Sequence, residues 1–194
     1  MDSAGIAHEV ELAVAWFRSQ AGNVPRFVRA GTAIDVRTAK VSVTRAAFEA
    51  MSFSSQVGAI RAAAAASPDQ YIAAFVDADD ATACGRSGGD LIMYTDTGST
   101  GCPARPTIAT TAFPFGNSYL IAHELTHSLG AVPACAPHAD GSGHLNDDPR
   151  DVLYSGPVAR DWGNLTLDPG HDDYFRTGRT DCTDIDHSPL WTPA

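Results

Sequence analysis

At 194 residues, with 44% hydrophobic and 19% charged side chains, the chain has the make-up of one globular domain and not of a disordered segment. Its net charge of −10, with Lys40 as its one lysine and no basic run, leaves nothing to neutralise phosphates and excludes nucleic acid as a partner. No stretch of 18 apolar residues offers a transmembrane helix, so no membrane partner is expected.

The chain opens Met1-Asp2-Ser3 with no signal-peptide pattern, which fits either a cytosolic protein or a mature form. Residues 6–20 then read as an amphipathic helix, with Ile6, Val10, Leu12, Val14, Trp16 and Phe17 on one face and Gly22-Asn23 as the stop. Short β-like runs follow at Arg26–Val28 and Ile34–Val43. Thr44 is placed to cap a second helix through the alanine-rich 45–66, which Ser67-Pro68 ends. Tyr71–Val76 and Leu91–Tyr94 read as strands, 96–106 as a loop and 107–113 as a further β-like run.

Asn117-Ser118 opens a helix over 119–129, closed by Gly130. Tyr119, Leu120, Ile121, Leu125 and Leu129 give this helix an apolar face. Beyond it the chain is rich in Pro, Gly, Asp and His without regular periodicity. Helices and short strands mix without β-α-β alternation, so the fold class is α+β. The whole of 1–194 is taken as a single domain, with an N-terminal lobe to about 130 and a C-terminal lobe over 131–194.

Cys84, Cys102, Cys135 and Cys182 form no C-x-x-C pair, which argues against a zinc ribbon or a redox dithiol. Sequence proximity favours Cys84–Cys102 and Cys135–Cys182 bridges, and such bridges imply an oxidising, secreted setting. Eleven of the nineteen aspartates lie between Asp140 and Asp186 among only four bases. That segment is either a solvated acidic face or a Ca2+ site built from carboxylates.

The chemistry is carried by His123-Glu124-Leu125-Thr126-His127. Histidines four apart project from one helix face, a turn from each other, and both imidazoles can reach one Zn2+ ion at ~2.0–2.1 Å. Glu124, rotated off that axis, is free to act as general base on a metal-activated water. A catalytic zinc needs a third protein ligand and an open position. His144 and His138 are the candidates, with Asp147, Asp148 and Asp151 as weaker alternatives. Gly143 beside His144 permits a tight approach.

Extended to Gly130, the motif resembles that of the metzincin metallopeptidases. The resemblance implies a zincin fold: a small mixed sheet, an active-site helix and an irregular C-terminal lobe. The chain departs from that pattern at Pro133, where the family places its third ligand, and at Leu153, where the turn Asp151–Gly156 has leucine in place of methionine. The segments Ala131–His138, Gly143–Asp148, Asp151–Tyr154, Leu167-Asp168 and His171–Phe175 look like a group of secreted actinobacterial metzincin-like proteins. In relatives little chain separates the third ligand from the turn, which favours His144.

Tyr154 is the candidate for stabilising an oxyanion in the transition state, although a buried phenol with a backbone partner is the plainer expectation. Asp172, with Asp151, is a candidate for orienting a ligand histidine or for binding calcium, while His171–Tyr174 also suits a lock on the C-terminal lobe. The resulting expectation is a monomeric zinc metalloendopeptidase acting on a peptide or protein substrate. That substrate would add as a strand to an edge supplied by 107–113 or 90–95. Its rivals are a zinc-stabilised domain closed by both His138 and His144, and a calcium-dependent secreted binding module.

Overall fold

The computed structural model describes residues 2–80, 82–95, 118–156 and 162–193. The expected loop at 96–106, the β-like run at 107–113, and Cys102 lie outside them. The described residues are mixed α and β, with four helices and small sheets.

Helix α1 runs Ser3–Ala21. Asp2 caps it by accepting from the Gly5 N–H, and Gly22 ends it at φ 71°, a left-handed turn that glycine makes without strain. Its buried face is Val10, Ala13, Val14, Trp16, Phe17 and Ala21. Strand β1 (Asn23–Pro25) follows, then a tight hairpin of β2 (Arg29–Ala30) and β3 (Ala33–Ile34). The expected strand through Val43 stops at Ile34.

The expected single helix over 45–66 is two. Helix α2 covers Arg45–Glu49, capped by Thr44, and α3 covers Phe53–Ala64, capped by Ser52. The break has a local cause. The Ser52 side chain takes the Ser55 N–H, and the Phe48 carbonyl is claimed by the Met51 N–H and by Gln56 Nε2.

Strands β4 (Ala73–Val76), β5 (Gly85–Gly88) and β6 (Asp90–Tyr94) make a sheet in the order β4-β6-β5. Strand β6 runs parallel to β4 and antiparallel to β5, with Met93 opposite both Phe75 and Gly85. Strand β6 is therefore central, and 90–95 cannot supply the edge. Its side chains alternate between two cores, as the period of a strand requires. Leu91 and Met93 enter the larger core, Ile92 and Tyr94 a smaller one with Phe48 and Ile60.

Helix α4 (Ser118–Ser128) packs on α1, β5 and β6. Its start is pinned to α1: Glu9 Oε2 accepts from both the N–H and the hydroxyl of Ser118, at 2.9 Å each. Gly130, at φ 104°, closes the helix as its N–H returns to the His127 carbonyl, while the Ala131 N–H reaches Thr126.

Among the described residues the C-terminal segment holds only 3-10 turns, isolated bridges and β7 (Trp191–Pro193), which pairs antiparallel with β1. It is nevertheless tightly integrated. Leu145, Val152, Leu153, Leu167, Tyr174, Phe175 and Ile185 are all at or below 1% exposure, and they share the larger core with α1 and α4. A Cys135–Cys182 disulfide ties the chain after α4 to the tail. Cys84 is also disulfide-bonded, and the expected pairing with Cys102 involves a residue outside the described ones.

Candidate metal centre

Helix α4 buries Ile121, Ala122 and Leu125, which rolls His123 and His127 toward a cleft of about 650 Å³. Tyr119 and Leu120, expected on the apolar face, line this cleft with them. The third wall comes from the loop after α4, which returns as Ser142-Gly143-His144. Gly143 sits at φ 93°, where a side chain would be strained, and lies against His127.

His123, His127 and His144 form one group, with a ring nitrogen of each within 4.8 Å of the others. Their ring centroids are almost equidistant, at 4.9, 5.1 and 5.0 Å. His123 Nδ1 lies 2.8 Å from the Val152 carbonyl oxygen, which can only accept, so Nδ1 carries the proton and Nε2 presents a lone pair. That Nε2 stands 3.2 Å from Nε2 of His144. His144 Nδ1 is 3.0 Å from the Ser142 hydroxyl.

These separations fit a shared cation: two nitrogens each ~2.0–2.1 Å from a tetrahedral ion stand about 3.3 Å apart. Burial, with the neighbouring His144, pushes His127 down to about 4, which keeps it in the neutral form that ligates.

Glu124 points to the other wall. It is 6% exposed, and burial raises its carboxyl to about 8 against the opposing pull of Arg86. It packs directly on Gly85 of β5. Arg86, the next residue of that strand, lines the cleft and is held by Asp80 through Nε–Oδ2 at 2.7 Å and Nη2–Oδ1 at 3.1 Å. Sequence reading missed β5 altogether, because Gly85-Arg86-Ser87-Gly88 has neither alternation nor β-branched residues.

His138 is not brought to this group. Its Nδ1 is 3.0 Å from Asp173 Oδ2, with Asp147 at 3.6 Å and Asp172 at 3.8 Å, so it belongs to a separate cluster. A four-ligand site using both His138 and His144 is therefore not assembled. Asp148 instead pairs with Arg150.

Asp168, Asp172 and Asp173 form a third acidic group. The Asp168 carboxylate, however, already accepts backbone N–H groups from Asp172, Asp173, Tyr174 and Phe175. Three of those donors meet on Oδ2, so Asp168 holds its own loop together. Asp151 is fully buried and bonds Leu153 N–H, Asp168 N–H and the Tyr174 hydroxyl. Tyr154 is not among the described residues lining the cleft, and its ring lies over Gly156.

Comparison with protein-family models, with curated proteins and with solved structures returned no match.

Proposed function

We propose that the chain is a zinc-dependent endopeptidase of metzincin-like build. The observation that supports this most is the convergence of three imidazoles, with His123 Nε2 and His144 Nε2 3.2 Å apart, beside a buried glutamate on the same helix. His123, His127 and His144 would hold the metal, three nitrogen ligands being the set that leaves a fourth position open. When bound, zinc acidifies a water and polarises a carbonyl.

The chain's own residues account for the rest. Glu124 accepts the proton of the attacking water and returns it to the leaving amine. Burial raises its carboxyl to about 8 in the metal-free chain, and a divalent cation beside it would favour the ionised form that accepts a proton. Among the described residues strand β5 is the outer strand of its sheet, and it lines the cleft, so its outer edge would pair with an extended substrate backbone.

The Cys135–Cys182 disulfide fits an oxidising compartment, and secretion is part of the same proposal. Among the described residues no helix is long and apolar enough to cross a membrane.

The test is metal content by elemental analysis on untagged protein, with Glu124→Ala assayed against a peptide library. Zinc retained in Glu124→Ala with hydrolysis abolished is the expected result. Undiminished cleavage by that variant, or no zinc in the parent, overturns the proposal.

A further inference from the structure

Three polar side chains are buried together below the histidines: Asp151 at 0% exposure, Asp168 at 1% and Tyr174 at 0%. Burying carboxylates is costly unless their oxygens are hydrogen-bonded, and here each of the four oxygens accepts at least one bond. Asp151 Oδ1 accepts the Leu153 N–H at 2.6 Å and Oδ2 the Asp168 N–H at 3.0 Å. The Tyr174 hydroxyl donates to the same carboxylate, 3.0 Å from each oxygen. Tyr174 is in turn presented by a turn wound around Asp168, whose Oδ2 takes the N–H groups of Asp173, Tyr174 and Phe175.

The bond from Leu153 N–H back to Asp151 closes a turn with Val152 at its centre. Both peptide units that flank Val152 are held, the second of them by the Leu153 N–H bond to Asp151 itself. The Val152 N–H goes to the Thr166 carbonyl at 3.1 Å, and its carbonyl accepts from His123 Nδ1 at 2.8 Å. The next carbonyl, of Leu153, accepts the N–H of Leu145, the residue after His144. One three-residue turn therefore holds His123 directly and, through Leu145, the loop that carries His144.

We propose that Asp151, clamped by Tyr174 and the Asp168 turn, is a positioning residue for the histidine centre. It acts through the Val152 carbonyl, fixing the His123 tautomer and ring angle. This rests on reading the three histidines as a metal site. A carboxylate that merely glued the core would affect stability alone; this one also sets which nitrogen of His123 is free to ligate.

The experiment compares the zinc-loaded parent with Asp151→Asn and Tyr174→Phe, using Ile60→Ala in the smaller core as the control for lost stability. Zinc affinity is measured by chelator competition, and the histidine ring nitrogens are observed by NMR in the metal-free chains. Asp151→Asn is expected to weaken zinc about 10- to 100-fold, Tyr174→Phe less, and Ile60→Ala not at all. His123 is expected to hold one tautomer in the parent and to average between two in Asp151→Asn. Variants that lose stability yet keep the parent's zinc affinity and His123 tautomer would overturn the proposal. If Asp151→Asn does not fold, Tyr174→Phe decides by the same readouts. A parent that binds no zinc defeats the metal reading itself, and the His123 tautomer then decides the positioning role alone.

Discussion

Gly85 and Glu124 meet so closely that no side chain fits between them: a Cβ at Gly85 would lie 2.8 Å from Glu124 Oε1 and 2.9 Å from its Cγ. Strand β5 thus closes over Glu124, the proposed general base, by virtue of being bare at that position. Gly85→Ala must displace the carboxyl or the strand. Small misplacements of a reacting group are expensive, so kcat/KM is expected to fall about 10- to 100-fold with zinc content unchanged. Peptide cleavage at the parent's rate would show that Glu124 has room to spare.

The two candidate third ligands separate cleanly in space, and so must their variants. His144→Ala removes one corner of the three-ring group and is expected to abolish zinc binding. His138→Ala breaks an imidazole–Asp173 bond in another cluster and is expected to leave the metal in place. Elemental analysis of both proteins reads this directly, and zinc loss in His138→Ala would reverse the assignment.

Helix α4 was legible because its signals are local: a motif at helical spacing, an apolar face and a terminal glycine. Helix α1 and the cap at Thr44 were legible for the same reason. What the sequence hid was non-local. Strand β5 has no propensity of its own and exists because β6 and α4 offer it a place. The β1–β7 pair joins residues nearly the whole chain apart. The choice between His144 and His138 depends on how an irregular loop returns, and that is settled by bridges such as Leu145 to Tyr154 that no periodicity announces. The Val152 carbonyl, being backbone, leaves no mark in the sequence at all.

Acid should weaken the wall of the cleft through Asp80. Burial works against its charge, but hydrogen bonds from Arg86 and Thr82 outweigh this and bring it down to about 2. A carboxyl depressed in the folded chain stabilises above its ordinary value of 3.8, and that stabilisation is lost as pH falls through about 2. With Arg86 partly open to water, the contribution is about 1–2 kcal/mol. Asp80→Asn is expected to be less stable than the parent at pH 6 and to converge with it near pH 2. Urea midpoints across that range check it, and parallel curves would remove Asp80 from the account.

Cys135 sits on the loop that goes on to deliver His144, and Cys182 on the tail, 47 residues later. Closing a loop of that length restricts the unfolded chain by about 4 kcal/mol in the chain-entropy view. The folded chain has a second stake in the bond, because the loop between Gly130 and Leu145 contains no helix and only a single isolated bridge of its own, Ala139 to Leu145. Its far end is held by the Leu145 backbone and its near end by Gly130, and between them the disulfide and the His138–Asp173 hydrogen bonds tether it. The Cys135→Ser/Cys182→Ser pair is therefore expected to lose about 2–4 kcal/mol in denaturant unfolding and to bind zinc more weakly than the parent. A stability loss without any change in zinc affinity would mean that the Leu145 and Leu153 backbone holds His144 unaided, and that the bridge acts only on the unfolded chain.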